Sequence, residues 1–142
     1  MTSRNRQIVD AFYAAIPALD IAKLTATIED GFAPDAVLRV PESLLYGGIH
    51  RGREVIKGML TTLIRTRTPM VLPTSIRLVR VADAGDDIVI EAEFEWLAPG
   101  ASTPIPMRAM QWLTFRDGQV VDLTVCYWDT AACERAMAGS AE

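Results

Sequence analysis

Residues 41–54 read PESLLYGGIHRGRE and connect a predicted strand to a predicted helix. Pro41 ends the strand, because proline has no N–H to donate to a neighbouring strand. The glycine pair predicts a turn, and Gly52 directly precedes the helix start. A short strand is predicted at residues 44–46. The stretch also carries Tyr46 and His50, the single histidine of the chain, so it combines a junction of the fold with side chains that donate or exchange protons.

The period of the apolar residues changes from one side of this stretch to the other. Residues 4–16 place apolar side chains at i, i+4 and i+8 spacing, which predicts a helix. Residues 88–97 instead alternate apolar side chains with Glu91, Glu93 and Glu95. This period of two predicts a strand whose glutamates lie on a solvated outer face.

Helices are predicted first along the chain, and a meander of antiparallel strands follows. Asp117-Gly118 is the strongest local hairpin signal, and Asp20 is a predicted N-cap of the second helix. This segregation predicts the α+β class. The predicted helices cover residues 4–16, 21–30, 53–66 and 130–138. A second short strand is predicted at 36–40 after a turn at 33–35, and further strands at 75–81, 88–97, 107–115 and 120–128.

Length and composition limit the classes of function. The 142 residues are predicted to form a single domain, 1–142. The net charge of −4, without a concentrated basic run, argues against nucleic acid as a partner. The chain has no apolar run of roughly 18 residues and no apolar signal-peptide region after its start, so we expect a cytoplasmic protein without a membrane partner. Two cysteines without a CxxC pair and one histidine predict no metal site, and no cofactor is expected.

Three passages, in order along nearly the whole chain, carry a resemblance to a known family. They are FYAA at 12–15 with FAPDAV at 32–37, LYGG at 45–48 with RGRE at 51–54, and FRDGQVV at 115–121 with YWD at 127–129. Together they resemble the SnoaL-like polyketide cyclase family, of the ketosteroid-isomerase and nuclear-transport-factor-2-like superfamily. The resemblance implies a cone-shaped α+β barrel, with a curved antiparallel sheet wrapped around the N-terminal helices. It also implies a homodimer formed through the sheet.

Two catalytic sets of this superfamily are missing at the matching positions. Where ketosteroid isomerases carry a basic Asp before a proline, this chain has Val40. Where they carry an oxyanion-binding Tyr on the first helix, it has Phe12, and Tyr13 lies one place away, about 100° around the helix. The Arg-x-Asp pair of limonene epoxide hydrolases falls on Ala92 and Phe94. The resemblance therefore implies neither mechanism here.

Three candidate catalytic residues remain, each with a structural alternative. SnoaL-type cyclases use an Asp near the end of the last strand as acid and base, and Asp129 matches it; the alternative is an N-cap of the following helix. His50 is either an acid or base at the cavity mouth or an exposed loop residue. Tyr46 is either a hydrogen-bond donor to a substrate carbonyl or enolate, or a buried packing residue.

The cavity implied by the resemblance is expected to be largely apolar. Both faces of the last strand, residues 120–128, are partly apolar, so the sequence leaves open which face lines the cavity. Gln111 is a polar group within an otherwise apolar lining, as in many ligand sites. The predicted substrate-binding residues are Phe12, Leu38, Phe94, Trp96, Met107, Gln111, Cys126 and Trp128.

The resemblance implies a small cofactor-independent enzyme, a cyclase, isomerase or lyase, that acts on a small hydrophobic carbonyl compound by proton transfer or cyclisation. Asp129 is the expected acid or base, and Tyr46 or His50 the group that polarises an oxygen. The alternative is a non-catalytic small-molecule-binding or dimerisation domain of the same fold, which the two missing catalytic sets favour. An open cavity with any of these three residues pointing inward favours the enzyme, and purely apolar walls favour the binding domain.

Overall fold

The computed structural model describes residues 2–140, with side chains up to residue 139. Within this range the chain folds into four α-helices and six β-strands, and none of these helices is long and apolar enough to cross a membrane. In chain order the elements are α1 (Arg4–Ala15), α2 (Ile21–Gly31), β1 (Phe32–Val40), β2 (Gly48–Arg51), α3 (Arg53–Arg65), β3 (Arg77–Asp83), β4 (Asp87–Trp96), β5 (Ile105–Arg116), β6 (Gln119–Tyr127) and α4 (Thr130–Ser140), with a 3₁₀ turn at Pro73–Ser75 between α3 and β3.

The six described strands form one open sheet in the order β2-β1-β6-β5-β4-β3. Neighbouring strands are antiparallel except β1 and β6, which run parallel with Leu38 opposite Leu123. The predicted α+β class is confirmed, whereas the expectation of a wholly antiparallel sheet is wrong. The parallel pair is possible because α3 and four strands separate β1 from β6 along the chain, and parallel strands require such a long crossover.

The segment after β1 differs from its prediction. Residues 44–46 form tight turns instead of a strand, because the Leu44 N–H donates to the Pro41 carbonyl (3.2 Å) and the Gly47 N–H to the Leu44 carbonyl (2.9 Å). The strand in this region is β2, which begins at Gly48 and pairs with β1. Local turn hydrogen bonds therefore replace the predicted strand pairing.

The start of β1 also differs, since the strand begins at Phe32 rather than at residue 36 and includes the predicted turn at 33–35. Phe32 pairs with Val120 and Val37 with Asp122, with a register shift between the two pairs. Pro34 lies in this irregular part, where its missing N–H removes no ladder hydrogen bond.

The main core joins α1 and α2 to the inner face of the sheet. Ser3 caps α1 by accepting the Arg6 N–H (3.1 Å), and Asp20 caps α2 by accepting the Lys23 N–H (3.0 Å). The predicted cap at Asp20 is thus confirmed. Satisfied helix ends and a shared core fix the position of α1 against the sheet.

One of the three β4 glutamates departs from the predicted solvated face. Glu91 is only 4% exposed, although Glu93 and Glu95 remain accessible on the outer face. Arg80 on β3 and Arg108 on β5 lie 2.8 Å and 3.6 Å from its carboxylate oxygens. Because β4 lies between these strands, cations on both sides offset the cost of burying this carboxylate.

Candidate ligand-binding cavity

A cavity of about 360 Å³ lies between the inner face of the sheet, α1 and α3. This volume falls in the range of small-molecule sites. Its walls are predominantly apolar, and Thr66 and residues 68–71 after α3 complete them. Representative lining residues are Phe12 and Ile16 of α1, Leu38 of β1, Met59 and Leu63 of α3 and Phe94 of β4.

Three side chains form a hydrogen-bonded chain at one wall of this cavity. The Trp96 indole N–H donates to the Tyr46 hydroxyl oxygen (2.9 Å), and the hydroxyls of Tyr46 and Tyr127 lie 2.5 Å apart. The two tyrosines line the cavity, whereas Trp96 is fully buried outside its lining. Burial raises the pKa of Tyr46 and of Tyr127, so both hydroxyls stay protonated near neutral pH.

The hydrogens in this chain are not all used within the protein. An indole N–H and a tyrosine hydroxyl each carry one polar hydrogen. Trp96 directs its hydrogen at Tyr46, and one hydroxyl hydrogen joins Tyr46 to Tyr127. The other hydroxyl hydrogen has no acceptor among the described residues. One tyrosine O–H is therefore available to a ligand.

A second polar pair lies on the same inner face of the sheet. The hydroxyl of Tyr13 on α1 donates to Oε1 of Gln111 on β5 at 2.5 Å, and both residues line the cavity. Burial raises the pKa of Tyr13, which keeps this hydroxyl in its donor form. The pair links α1 to the sheet through a part-buried hydrogen bond.

The polar groups of the cavity are uncharged. Within residues 2–140, none of the lining side chains is Asp, Glu, His, Lys or Arg; the remaining polar ones are Thr62, Thr66 and Thr68. The same part of the chain contains no group of three or more His, Cys, Asp or Glu arranged to hold a metal ion. The cavity thus offers hydrogen-bond donors in an apolar setting, and its lining provides no carboxylate or imidazole as a general base.

The first candidate catalytic residue, Asp129, lies outside the cavity lining. Its Oδ1 accepts the N–H of Ala132 in the first turn of α4 (3.0 Å), as an N-cap residue does. Its Oδ2 lies 3.8 Å from the guanidinium of Arg135. Of the two roles considered for Asp129, this placement supports the helix cap.

The second candidate, His50, is half-buried on β2 and does not line the cavity. Its Nε2 lies 3.0 Å from the backbone carbonyl oxygen of Tyr46. A protonated Nε2 donates to this carbonyl and so holds the loop that carries Tyr46. Tyr46 is the one of the three candidates that the structure places in the cavity wall.

Four predicted substrate-binding residues, Phe12, Leu38, Phe94 and Gln111, line the cavity. Four others do not, which corrects their predicted placement. Trp96 and Met107 are buried in an adjoining cluster near Leu44 and Cys133. Cys126 and Trp128 are exposed on the outer side of the sheet. The register that sets Val125 opposite Gln111 turns Leu123, Val125 and Tyr127 inward, and alternation turns Cys126 outward.

The sequence prediction of the lining lacks Tyr13 and Tyr127. Tyr127 lies on the β6 face that the sequence left open. Tyr13 lies beside Phe12, yet both residues line the cavity because α1 buries a wide face, which also includes Ile8 and Val9. The breadth of this apolar stripe in the sequence is the signal that indicates Tyr13.

The described helices and the six-stranded sheet enclose an apolar cavity, and this arrangement places the chain in the α+β class. The sequence profile of the SnoaL-like domain matches residues 9–123, and the chain belongs to this family. The resemblance read from the sequence is therefore confirmed. The family includes cyclases and isomerases. No curated protein matches the chain.

Solved structures share the fold at low sequence identity. Bal32a, from a soil-derived mobile gene cassette, is 19% identical with a TM-score of 0.76, over 94% of this chain and 96% of that chain. TerC, co-crystallized with polyporic acid, is 23% identical with a TM-score of 0.72, over 96% and 99%. A hypothetical protein with a ketosteroid isomerase-like fold from Catenulispora acidiphila DSM 44928, in complex with trimethylamine, is 25% identical with a TM-score of 0.64, over 85% of each chain. These likenesses confirm the predicted α+β cone.

Proposed function

We propose that this protein binds a small, uncharged, largely apolar compound with a carbonyl oxygen, and that the Tyr46–Tyr127 pair donates a hydrogen bond to that oxygen. The observation that carries the proposal is the tyrosine O–H without an acceptor among the described residues, in an apolar cavity of about 360 Å³. A buried donor left unpaired costs about 1–3 kcal/mol, and the Tyr46 and Tyr127 hydroxyls are part-buried. A carbonyl oxygen supplies the missing acceptor.

The electrostatics of the cavity favour a neutral ligand. Its lining has no cation to pair with a carboxylate or phosphate and no anion to pair with an amine, and an unpaired charge is costly in an apolar site. In the chain of Trp96, Tyr46 and Tyr127, the hydrogen bonds within the protein polarise the tyrosine hydroxyl whose hydrogen is free, because hydrogen bonds in a chain strengthen one another. The terminal O–H is thus a strong neutral donor.

Catalysis on the same ligand is a second candidate function. A donor aimed at a carbonyl oxygen stabilises the negative charge that develops there during enolisation or ring closure. The membership of cyclases and isomerases in the family supports this candidate. The co-crystallisation of TerC with polyporic acid supports a small organic ligand. Since the lining holds no general base, the ligand itself or water would move the proton.

The proposal is tested with isophorone, a small cyclic ketone, and 1,5,5-trimethylcyclohexene, which has the same skeleton without the carbonyl. The variant replaces both Tyr46 and Tyr127 by phenylalanine, because either hydroxyl can supply the free hydrogen. Loss of one net hydrogen bond is expected to weaken isophorone binding about 3- to 10-fold relative to the hydrocarbon. Ligand-observed NMR titration measures both affinities.

Asp129→Asn is the control, because asparagine also caps helices, and both affinities are expected to stay unchanged. Equal effects of the tyrosine variant on both probes, or no isophorone binding by the wild type, would contradict the proposal. Deuterium exchange at the carbons next to the isophorone carbonyl separates the two candidate functions. Exchange faster than in buffer supports catalysis, and exchange at the buffer rate with intact binding supports a binding protein.

We also propose that two copies of the chain associate through the outer face of the sheet. Met110 and Trp112 are 41% and 53% exposed there, and the nearby Trp128 is 74% exposed. Exposed large apolar side chains on one sheet face are typical of protein interaction sites. The ion pairs of Arg77 with Glu93 and of Arg80 with Glu91 cross the same face, and two-fold symmetry places such a patch against its own copy.

Trp112→Lys is expected to convert the proposed dimer to monomers, because it places a charge within the apolar patch. Val55→Lys is the matched control, since Val55 is 50% exposed on α3, away from the sheet; it is expected to leave the dimer intact. Sedimentation velocity at several concentrations measures the association state. A monomeric wild type, or a Trp112→Lys protein that remains dimeric, would exclude this interface.

A further inference from the structure

The side chain of Gln111 is fixed by one short hydrogen bond. On the inner face of β5, its Oε1 accepts the Tyr13 hydroxyl at 2.5 Å. A tyrosine hydroxyl has a single hydrogen, and here that hydrogen is directed at Gln111. Since a carboxamide carries its oxygen on one side and its N–H₂ group on the other, holding the oxygen also fixes the direction of the nitrogen.

The amide nitrogen of Gln111 has hydrogens to donate. This nitrogen carries two hydrogens, and neither of them has an acceptor among residues 2–140. Gln111 is half-buried and lines the cavity. Its Oε1 is already engaged by Tyr13, so the part of this side chain that remains to be satisfied is a donor.

Gln111 and Tyr127, one member of the tyrosine pair, lie on neighbouring strands of one wall. Val125 lies opposite Gln111, and Ala109 lies opposite Tyr127. Gln111 and Tyr127 are therefore diagonal neighbours on the inner face, at a typical separation of about 7–8 Å. The residues between them, Ala109 and Val125, are apolar. This wall thus presents two donors separated by an apolar surface.

We propose that the cavity selects compounds with two acceptor oxygens on one apolar skeleton, such as cyclic dicarbonyl compounds. One oxygen accepts from the Tyr46–Tyr127 pair and the other from the Gln111 amide. The inference rests on the proposed function, because it adds a second contact to the same ligand. Tyr13 is a positioning residue, which acts by holding Gln111 with its N–H₂ group free. A compound with an ammonium group at the second position would set donor against donor and is disfavoured.

Isophorone and ketoisophorone form a matched pair of probes, because they share one carbon skeleton and ketoisophorone has a second carbonyl across the ring. The measured quantity is the ratio of their dissociation constants, which cancels general changes in the cavity. Titrations are made in a Cys126→Ser background, because the exposed Cys126 thiol reacts with ene-diones. This side chain lies on the outer side of the sheet, away from the cavity.

Gln111→Leu is expected to shift this ratio against ketoisophorone by about 3- to 10-fold, the value of one net hydrogen bond. Tyr13→Phe is expected to shift it in the same direction, because the freed carboxamide rotates and presents either its oxygen or its nitrogen. A purely structural role of Tyr13 would weaken both probes equally and leave the ratio unchanged. Asp129→Asn is the control and is expected to leave the ratio unchanged.

The outcomes separate this inference from the proposed function. If isophorone binds through the tyrosine pair but folded Gln111→Leu does not change the ratio, the second contact is excluded and the proposed function stands; Tyr13→Phe decides in the same way if Gln111→Leu does not fold. If the wild type binds neither probe, both are excluded. Far-UV circular dichroism verifies the folding of each variant, and a shift in either folded variant supports the second contact.

Discussion

Replacing Trp96 by alanine is expected to lower the free energy of unfolding by about 3–5 kcal/mol, the range for truncating a buried aromatic side chain. Trp96 is 0% exposed and packs in a cluster with Leu44, Phe94 and Met107. Its removal leaves a void, and the neighbouring side chains of this cluster can fill it only if the backbone shifts. The change also deletes the N–H that donates to Tyr46 at 2.9 Å, so the wall proposed to bind a carbonyl loses part of its support.

Trp128→Ala is the matched control for this substitution. Trp128 is 74% exposed, and its main contact is the Arg108 guanidinium, 4.4 Å from the ring centre. An exposed cation–π contact contributes about 0.5–1 kcal/mol, so the loss of stability should not exceed that amount. Urea denaturation followed by far-UV circular dichroism measures both variants. Equal losses for Trp96→Ala and Trp128→Ala would contradict the assigned burial of Trp96.

Gly47→Ala is expected to destabilise the fold by about 2–3 kcal/mol, near the upper end for steric overpacking. A Cβ atom at this position would overlap the carbonyl oxygen of Pro41 and lie 2.9 Å from the Leu44 carbonyl oxygen. These atoms belong to the backbone of the loop between β1 and β2, so they cannot rotate away. Because Tyr46 precedes this glycine, we also expect the variant to lose the isophorone preference assigned to the tyrosine pair.

Gly58→Ala is expected to stabilise the fold, which is the opposite of the effect expected for Gly47→Ala. Gly58 lies in α3, and a Cβ atom there meets nothing within 4 Å. Alanine in an exposed helix position stabilises by about 0.5–1 kcal/mol relative to glycine. Thermal and urea unfolding of the two variants give the comparison. A Gly47→Ala protein as stable as the wild type would show that the loop adopts another conformation.

Local sequence patterns determine most of the secondary structure. The helical spacing of α1, the Asp20 cap and the Asp117-Gly118 turn each specify an element through contacts within a few residues, and the structure contains all three. The strand predicted at residues 44–46 is wrong because its backbone hydrogen bonds close two local turns. Propensity alone does not separate such turns from a short strand.

The candidate site is less predictable, because its contacts join residues that are distant along the chain. Tyr13 bonds to Gln111, and Tyr46 bonds to Tyr127 and Trp96. Each residue taken singly is compatible with a packing role. Asp129 is the opposite case, since its sequence position fits both an acid–base role and a helix cap, and only its distance to the Ala132 N–H distinguishes them.

The sequence by itself determined the α+β class, because periodicity and turn chemistry act over short distances. Its three motif passages also carried the resemblance to the family, and that resemblance implied an apolar cavity. Only the tertiary structure decided which face of β6 points inward, because both faces are partly apolar and the packing of α1 selects between them. It also decided that Glu91 is buried, through arginines on two neighbouring strands. The free donors of the cavity follow from the same cause: a hydrogen-bond partner is defined by position in space, which the spacing of residues along the chain does not specify.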